Sequence, residues 1–138
     1  MPSRVFVDAS AYVALLRRDD TNHAAAAAIF SALQAQRCRL YTTYFAVAEA
    51  HALLLRYLGI APASRFLQSL DASQITTIVH AEPTDINAAK ALLYRYSDKY
   101  FSLANAIAFT IMTRLRLQTA FAFDGDFRQY GWQVRQAE

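Results

Sequence analysis

The sequence predicts an α/β fold: a three-layer α/β/α arrangement with a central parallel sheet of four to five strands. Two observations predict it. Short apolar or β-branched runs alternate with longer helical segments from one end of the chain to the other. That order belongs to a parallel sheet covered by helices on both faces. The chain also has 138 residues, 55% of them hydrophobic and 18% charged. Such a chain can bury a real core within one domain, here residues 1–138, and general disorder is excluded. Three Gly and three Pro exclude collagen-like and low-complexity classes.

The elements follow in order. Arg4 to Val7 is a short apolar run ending at Asp8 and reads as a buried strand. Residues 11–17 read as a helix capped by Ser10 or Asp8. After the Asp19-Asp20-Thr21 break, residues 22–36 form a second helix around an alanine run. Arg39 to Thr43 is a strand, and Phe45 to Leu58 is an apolar helix stopped by Gly59. Pro62 opens a helix to about Leu70, and Gln74 to Val79 is a third strand. Pro83 opens a helix to about Tyr96, a good use of proline in a first turn. Ser97 to Ser102 is a loop, 103–116 a helix, Thr119 to Phe123 a strand, and Asp124-Gly125-Asp126 a turn. Trp132 to Arg135 supplies a fifth, short strand.

One cysteine, Cys38, rules out a disulfide scaffold and a cysteine-based zinc site, and reads as a buried thiol. No apolar run reaches membrane-spanning length, and the N-terminus lacks the apolar stretch of a signal peptide. The expectation is a cytoplasmic domain with no membrane partner. The net charge is +3, and twelve of the fourteen basic residues are Arg. Arg makes forked contacts with phosphates, so the bias is compatible with nucleic acid, although no basic block exists.

The acids are few, and their positions carry the functional argument. Asp8 ends the first strand; Asp124 follows Phe121-Ala122-Phe123, with Asp126 two residues on. In open α/β sheets ligands bind beyond the carboxyl ends of the strands. Asp8 serves equally as a helix cap, and Asp124 and Asp126 equally as turn residues. Glu49 is different. It lies inside the apolar stretch Ala46-Val47-Ala48-Glu49-Ala50, six residues past Thr43 and without a basic partner one turn away. A carboxylate there needs a cation, a wet cleft or a solvent-facing side of the helix. Three carboxylates from three distant segments, converging where such sheets bind ligands, suggest a divalent-metal site. The metal would also relieve their mutual repulsion.

Other chemistry finds no footing. The chain has no phosphate-binding glycine loop, no dinucleotide fingerprint and no serine elbow. His23, His51 and His80 are scattered and read as surface or packing residues. A haloacid-dehalogenase type phosphohydrolase needs a second Asp where Ser10 stands.

These residues together resemble the PIN domain family, and within it the VapC-type toxin ribonucleases. Val5-Phe6-Val7-Asp8-Ala9-Ser10 is similar to the family's opening strand with its first acid and following hydroxyl. Glu49, after Thr42 and Thr43, is similar to the acid of the third helix. Tyr96-Ser97-Asp98-Lys99 through Ser102-Leu103-Ala104-Asn105-Ala106 resembles the approach to the penultimate helix, and Phe123-Asp124-Gly125-Asp126-Phe127 the closing acidic turn. The resemblance spans about residues 3–134. It implies cleavage of single-stranded RNA with Mg²⁺ or Mn²⁺, with Asp8, Glu49 and Asp124 as metal ligands. It makes Asp126 a further acid or a capping residue, and Ser10 a support for the metal ligands. For toxin members it also implies a homodimer neutralised by a cognate VapB-like antitoxin. The apolar helices Phe45–Tyr57 and Ala88–Tyr96 offer faces for either contact.

The sequence departs from the family pattern at Asn105, where an Asp is usual, and more mildly at Ala122, where many toxins have Thr. An amide offers one neutral oxygen and no charge. It is expected to weaken metal binding and to orient a metal-bound water or phosphate, while Asp98 compensates if its loop folds back. The alternative function is a catalytically impaired PIN domain that binds RNA or protein without cutting.

Overall fold

The structure is a computed structural model and describes residues 3–137. Five strands form one sheet in the order β3-β2-β1-β4-β5, and every pairing is parallel. The strands are β1 (Arg4–Val7), β2 (Arg39–Thr43), β3 (Thr76–Val79), β4 (Thr119–Phe121) and β5 (Gln133–Val134). The helices are α1 (Ala9–Leu16), α2 (His23–Ala35), α3 (Tyr44–Leu58), α4 (Ile60–Ala72), α5 (Pro83–Arg95), α6 (Leu103–Leu115) and α7 (Gly125–Tyr130). The expected three-layer α/β/α fold is therefore found, with its sheet at the upper end of the expected strand count.

The two-residue period of the strands sorts the core between the faces. Val5, Val7, Leu40 and Phe121 pack with residues of α1 to α4. Phe6, Ala120 and Ala122 turn the other way, into an aromatic layer with Phe101, Phe109 and Phe127. Phe109 meets Phe127 edge-on at 5.0 Å and stacks on Tyr130 at 4.6 Å. Aromatic pairs in these geometries contribute about 0.5–1.5 kcal/mol each beyond their buried area.

Several boundaries differ from those the sequence predicts. Helix α4 starts at Ile60 rather than Pro62. Pro62 stands in its first turn, where backbone N–H groups have no partner inside the helix, so the missing donor costs nothing. Gly59 alone separates α3 from α4, at φ +94° and ψ −178°, a conformation open essentially to glycine. Strand β3 starts at Thr76, two residues later than Gln74, and β4 ends at Phe121 instead of Phe123. The expected turn at Asp124-Gly125-Asp126 is the start of α7. Asp124 caps it by accepting the Asp126 N–H, and Phe127, fully buried, anchors it.

Candidate active site

The two central strands, β1 and β4, end side by side, and their acids follow directly. The Asp8 N–H donates to the Phe121 carbonyl at 3.0 Å, which carries the β1–β4 pairing one residue past the end of β1. On the other flank, the buried Thr42 hydroxyl donates to the Val7 carbonyl at 2.8 Å. The end of β1 is thus tied on both sides. Asp8 then caps α1, its Oδ2 accepting the Ser10 N–H at 3.1 Å.

Ser10 joins the two acidic segments through one oxygen. Its Oγ donates to Asp8 Oδ2 at 2.6 Å. The same oxygen accepts the N–H groups of Phe123 at 2.9 Å and Asp124 at 3.2 Å. A hydroxyl has one donor and two acceptor sites, and all three are used.

Glu49 arrives from α3, which Thr43 caps by accepting the Ala46 N–H at 3.1 Å. Glu49 stands at the open rim as an exposed residue. Partial withdrawal from water raises its carboxyl above the usual range, and the charges of Asp8 and Asp124 raise it further. Asp8 is buried, and that burial pushes its carboxyl up. The hydrogen bonds from Ser10 pull in the other direction, and the Asp124 charge adds to the rise. Mutual repulsion between these acids is the signature of like charges sharing a site. Among the described residues the ion pairs are Arg17–Asp19, Lys99–Asp98 and Arg114–Asp85, so none reaches Asp8, Glu49, Asp124 or Asp126. The cluster is anionic and uncompensated.

Asn105 enters from the first turn of α6. Ser102 caps that helix and accepts the Asn105 N–H at 3.0 Å. The buried Asn105 side chain donates from Nδ2 to Asp124 Oδ2 at 2.9 Å and to Asp126 Oδ2 at 3.0 Å. Asp8, Ser10, Asn105, Asp124 and Asp126 are therefore linked by hydrogen bonds, with Glu49 joined to them by charge. Asp98 stands apart. It lies near Lys99 at 3.8 Å, is 77% exposed, and shares no hydrogen bond with the other acids among the described residues. Sequence reasoning overlooked the tie from Thr42 to Val7 and the donor role of Asn105. A threonine closing a strand beside a candidate acid was the available signal for the first.

The donor chemistry suits a hard divalent cation: carboxylate oxygens, negative charge in excess, and a buried member without a basic partner. No group of three or more His, Cys, Asp or Glu side chains is already closed tightly enough to grip an ion among the described residues. Glu49 is exposed on α3 and, unlike Asp8 and Asp124, its carboxylate is held by no hydrogen bond among the described residues.

Comparison with known proteins gives the family and the fold. The PIN domain family profile matches residues 5–133. The 23S rRNA-specific endonuclease VapC20 of Mycobacterium tuberculosis, from strains CDC 1551 / Oshkosh and H37Rv, is 27% identical over 131 residues. That match covers 93% of this chain and 95% of the relative. The crystal structure of M. tuberculosis VapC20, described as a sarcin-ricin loop cleaving toxin, superposes with a TM-score of 0.85 at 26% identity. The superposition covers 96% of this chain and 98% of that one.

Proposed function

The chain belongs to the PIN domain family, and on that footing we propose that it is a divalent-metal-dependent endoribonuclease, the toxin of a type II toxin–antitoxin pair, with residues 1–138 acting as one domain. The single observation that carries the reading is the uncompensated carboxylate cluster at the carboxyl edge of the two central strands. Its likeness to VapC20 along nearly the whole length of both chains supports the same activity class.

Asp8, Glu49 and Asp124 would hold the ion, Mg²⁺ or Mn²⁺. Such an ion, when bound, supplies a polarised water and charge neutralisation for phosphodiester hydrolysis. The chain's own residues set the stage for it. Ser10 fixes one Asp8 oxygen and pins the backbone before Asp124, so two ligands from distant segments keep their separation. Glu49 completes the set from the rim. Asp126 caps nothing but shares the Asn105 amide with Asp124.

The substrate class is single-stranded RNA, and the large ribosomal RNA is the first candidate because VapC20 is named for it. The reading of a domain that binds without cutting, raised by Asn105, is the less favoured one beside these relatives. A cognate VapB-like antitoxin and a homodimer are supported by the exposed apolar side chains Leu55, Leu58, Ile60 and Leu67 on α3 and α4, and by Tyr94, 76% exposed on α5. Among the described residues no helix is long and apolar enough to cross a membrane, and the cytoplasm is the proposed location.

The test is cleavage of 23S rRNA and of a sarcin-ricin loop oligonucleotide with Mg²⁺ or Mn²⁺, against Asp8→Ala and an EDTA control. Cutting by the parent and none by the variant is expected; equal cutting by both sinks the assignment. Light scattering on a size-exclusion column should give a dimer mass, and a monomer at micromolar concentration removes that part of the reading.

A further inference from the structure

The place of Asn105 says how many cations the site takes, an inference that rests on the reading above. Asn105 is 4% exposed and is aimed by its helix, since Ser102 fixes its backbone N–H. An amide nitrogen carries two hydrogens, and here each serves one carboxylate: Asp124 at 2.9 Å and Asp126 at 3.0 Å. The opposite amide orientation would set an acceptor oxygen against two acceptor carboxylates, so the network dictates this one. No Lys, Arg or His pairs with either acid among the described residues. A neutral donor therefore does for Asp124 and Asp126 what a bridging cation does for paired carboxylates. A carboxylate at position 105 would reverse this. Three acids would then converge with no side-chain donor between them, and a cation or a shared proton would have to hold them.

We propose that Asn105 is a positioning residue which clamps Asp124 to Asp126 in place of a cation, so that the site accepts one divalent ion, at Asp8, Glu49 and Asp124, and no second. Asp126 is then a partner of the amide and not a metal ligand.

The experiment counts Mn²⁺ ions by calorimetry and by electron paramagnetic resonance on the parent, Asn105→Asp and Asn105→Ala, and records thermal unfolding of each in EDTA. The parent should bind one Mn²⁺ per chain. Asn105→Asp should unfold at a lower temperature in EDTA, bind a second ion, and recover its stability when Mn²⁺ is added. Asn105→Ala should keep one ion but hold it roughly tenfold or more weakly, the usual effect of losing a group that orients a ligand. Two ions on the parent overturn the proposal, whatever the variants do, so the parent alone decides if they fail to fold. One ion on the parent with no change in count or EDTA stability for Asn105→Asp overturns the clamp but leaves the metal-dependent reading standing. No Mn²⁺ on either overturns both.

Discussion

The Ser10 hydroxyl lies 2.6 Å from Asp8 Oδ2 and at the same time receives the backbone N–H groups of Phe123 and Asp124. One side chain thereby sets both the orientation of the first acid and the path of the chain into the second. Ser10→Ala should lose the bond to a charged group and leave two backbone donors without this partner. Hydrogen bonds to charged groups contribute about 1.5–3 kcal/mol, and an unsatisfied donor costs a similar amount. A destabilisation of roughly 2–4 kcal/mol is expected, with kcat falling further than KM rises. Urea denaturation and steady-state cleavage measure the two effects. A variant as stable and as fast as the parent would remove Ser10 from the site's support.

Asp8 carries a standing cost at neutral pH. Burial first, then the charge of Asp124, lifts its carboxyl above the ordinary value of 3.8. The folded chain therefore binds a proton that the unfolded chain has already released, across the interval between the two values. Stability is favoured at the acid side of that interval and declines as pH rises through the folded value. Asp8→Asn removes the charge and still offers Ser10 an oxygen. In EDTA at pH 7 it should be more stable than the parent by about 1 kcal/mol, the usual scale for relieving an active-site conflict. Its stability should also depend less on pH through the weakly acidic range. A lower melting temperature for Asp8→Asn under these conditions would contradict the assignment.

Asp85 follows the opposite sign. Burial by itself would raise its carboxyl, but the hydrogen bonds from Arg114 and the Glu82 backbone outweigh that and hold it below 3.8. The Arg114 guanidinium grips both oxygens, at 3.0 Å and 2.9 Å, and so ties α6 to α5. A depressed folded value gives stability that is complete above the unfolded value and is lost as pH falls through the folded one. The pair should therefore contribute fully at pH 5 and fade below about 3.8. Arg114 is 36% exposed, so screening by water trims the effect. Asp85→Ala should cost about 1–2 kcal/mol at pH 7 and less at pH 3. A denaturant series at the two pH values checks it, and equal losses at both would refute the ionic origin.

Gly59 tests the joint between α3 and α4. A Cβ at this position would meet nothing within 4 Å, so any cost of adding one is backbone strain alone. With φ at +94° and ψ at −178°, Gly59→Ala should destabilise by about 1–3 kcal/mol. The urea midpoint should fall while cleavage per folded molecule stays unchanged. An unaltered midpoint would mean the joint relaxes freely.

The fold was legible where local chemistry and tertiary context agree. Val5 to Val7 reads as a buried strand because it is one, and Pro83 marks the start of α5 because its fixed φ and missing N–H suit a first turn. Asp124-Gly125-Asp126 was misread for a physical reason. An Asp that accepts the N–H two residues on is the same local event in a turn and at a helix start. What extends it into α7 is Phe127, which finds its place against Phe6 and Phe109, far away in the sequence. The acids of the site were visible as strand-end residues and as one charge within an apolar helix. The donor bonds of Asn105 were not, because they run to residues 19 and 21 positions away and depend on how α6 docks.

The strand order also sets an order in time. A chain made from its N-terminus has Asp8 and Glu49 in hand long before Asp124 exists, and β1 must wait with one edge bare until β4 pairs beside it. The full set of carboxylates therefore exists only once the segment carrying β4 and Asp124 has been made. A polypeptide that stops before β4 lacks Asp124, so on the proposed reading it carries no complete metal site and should not cut.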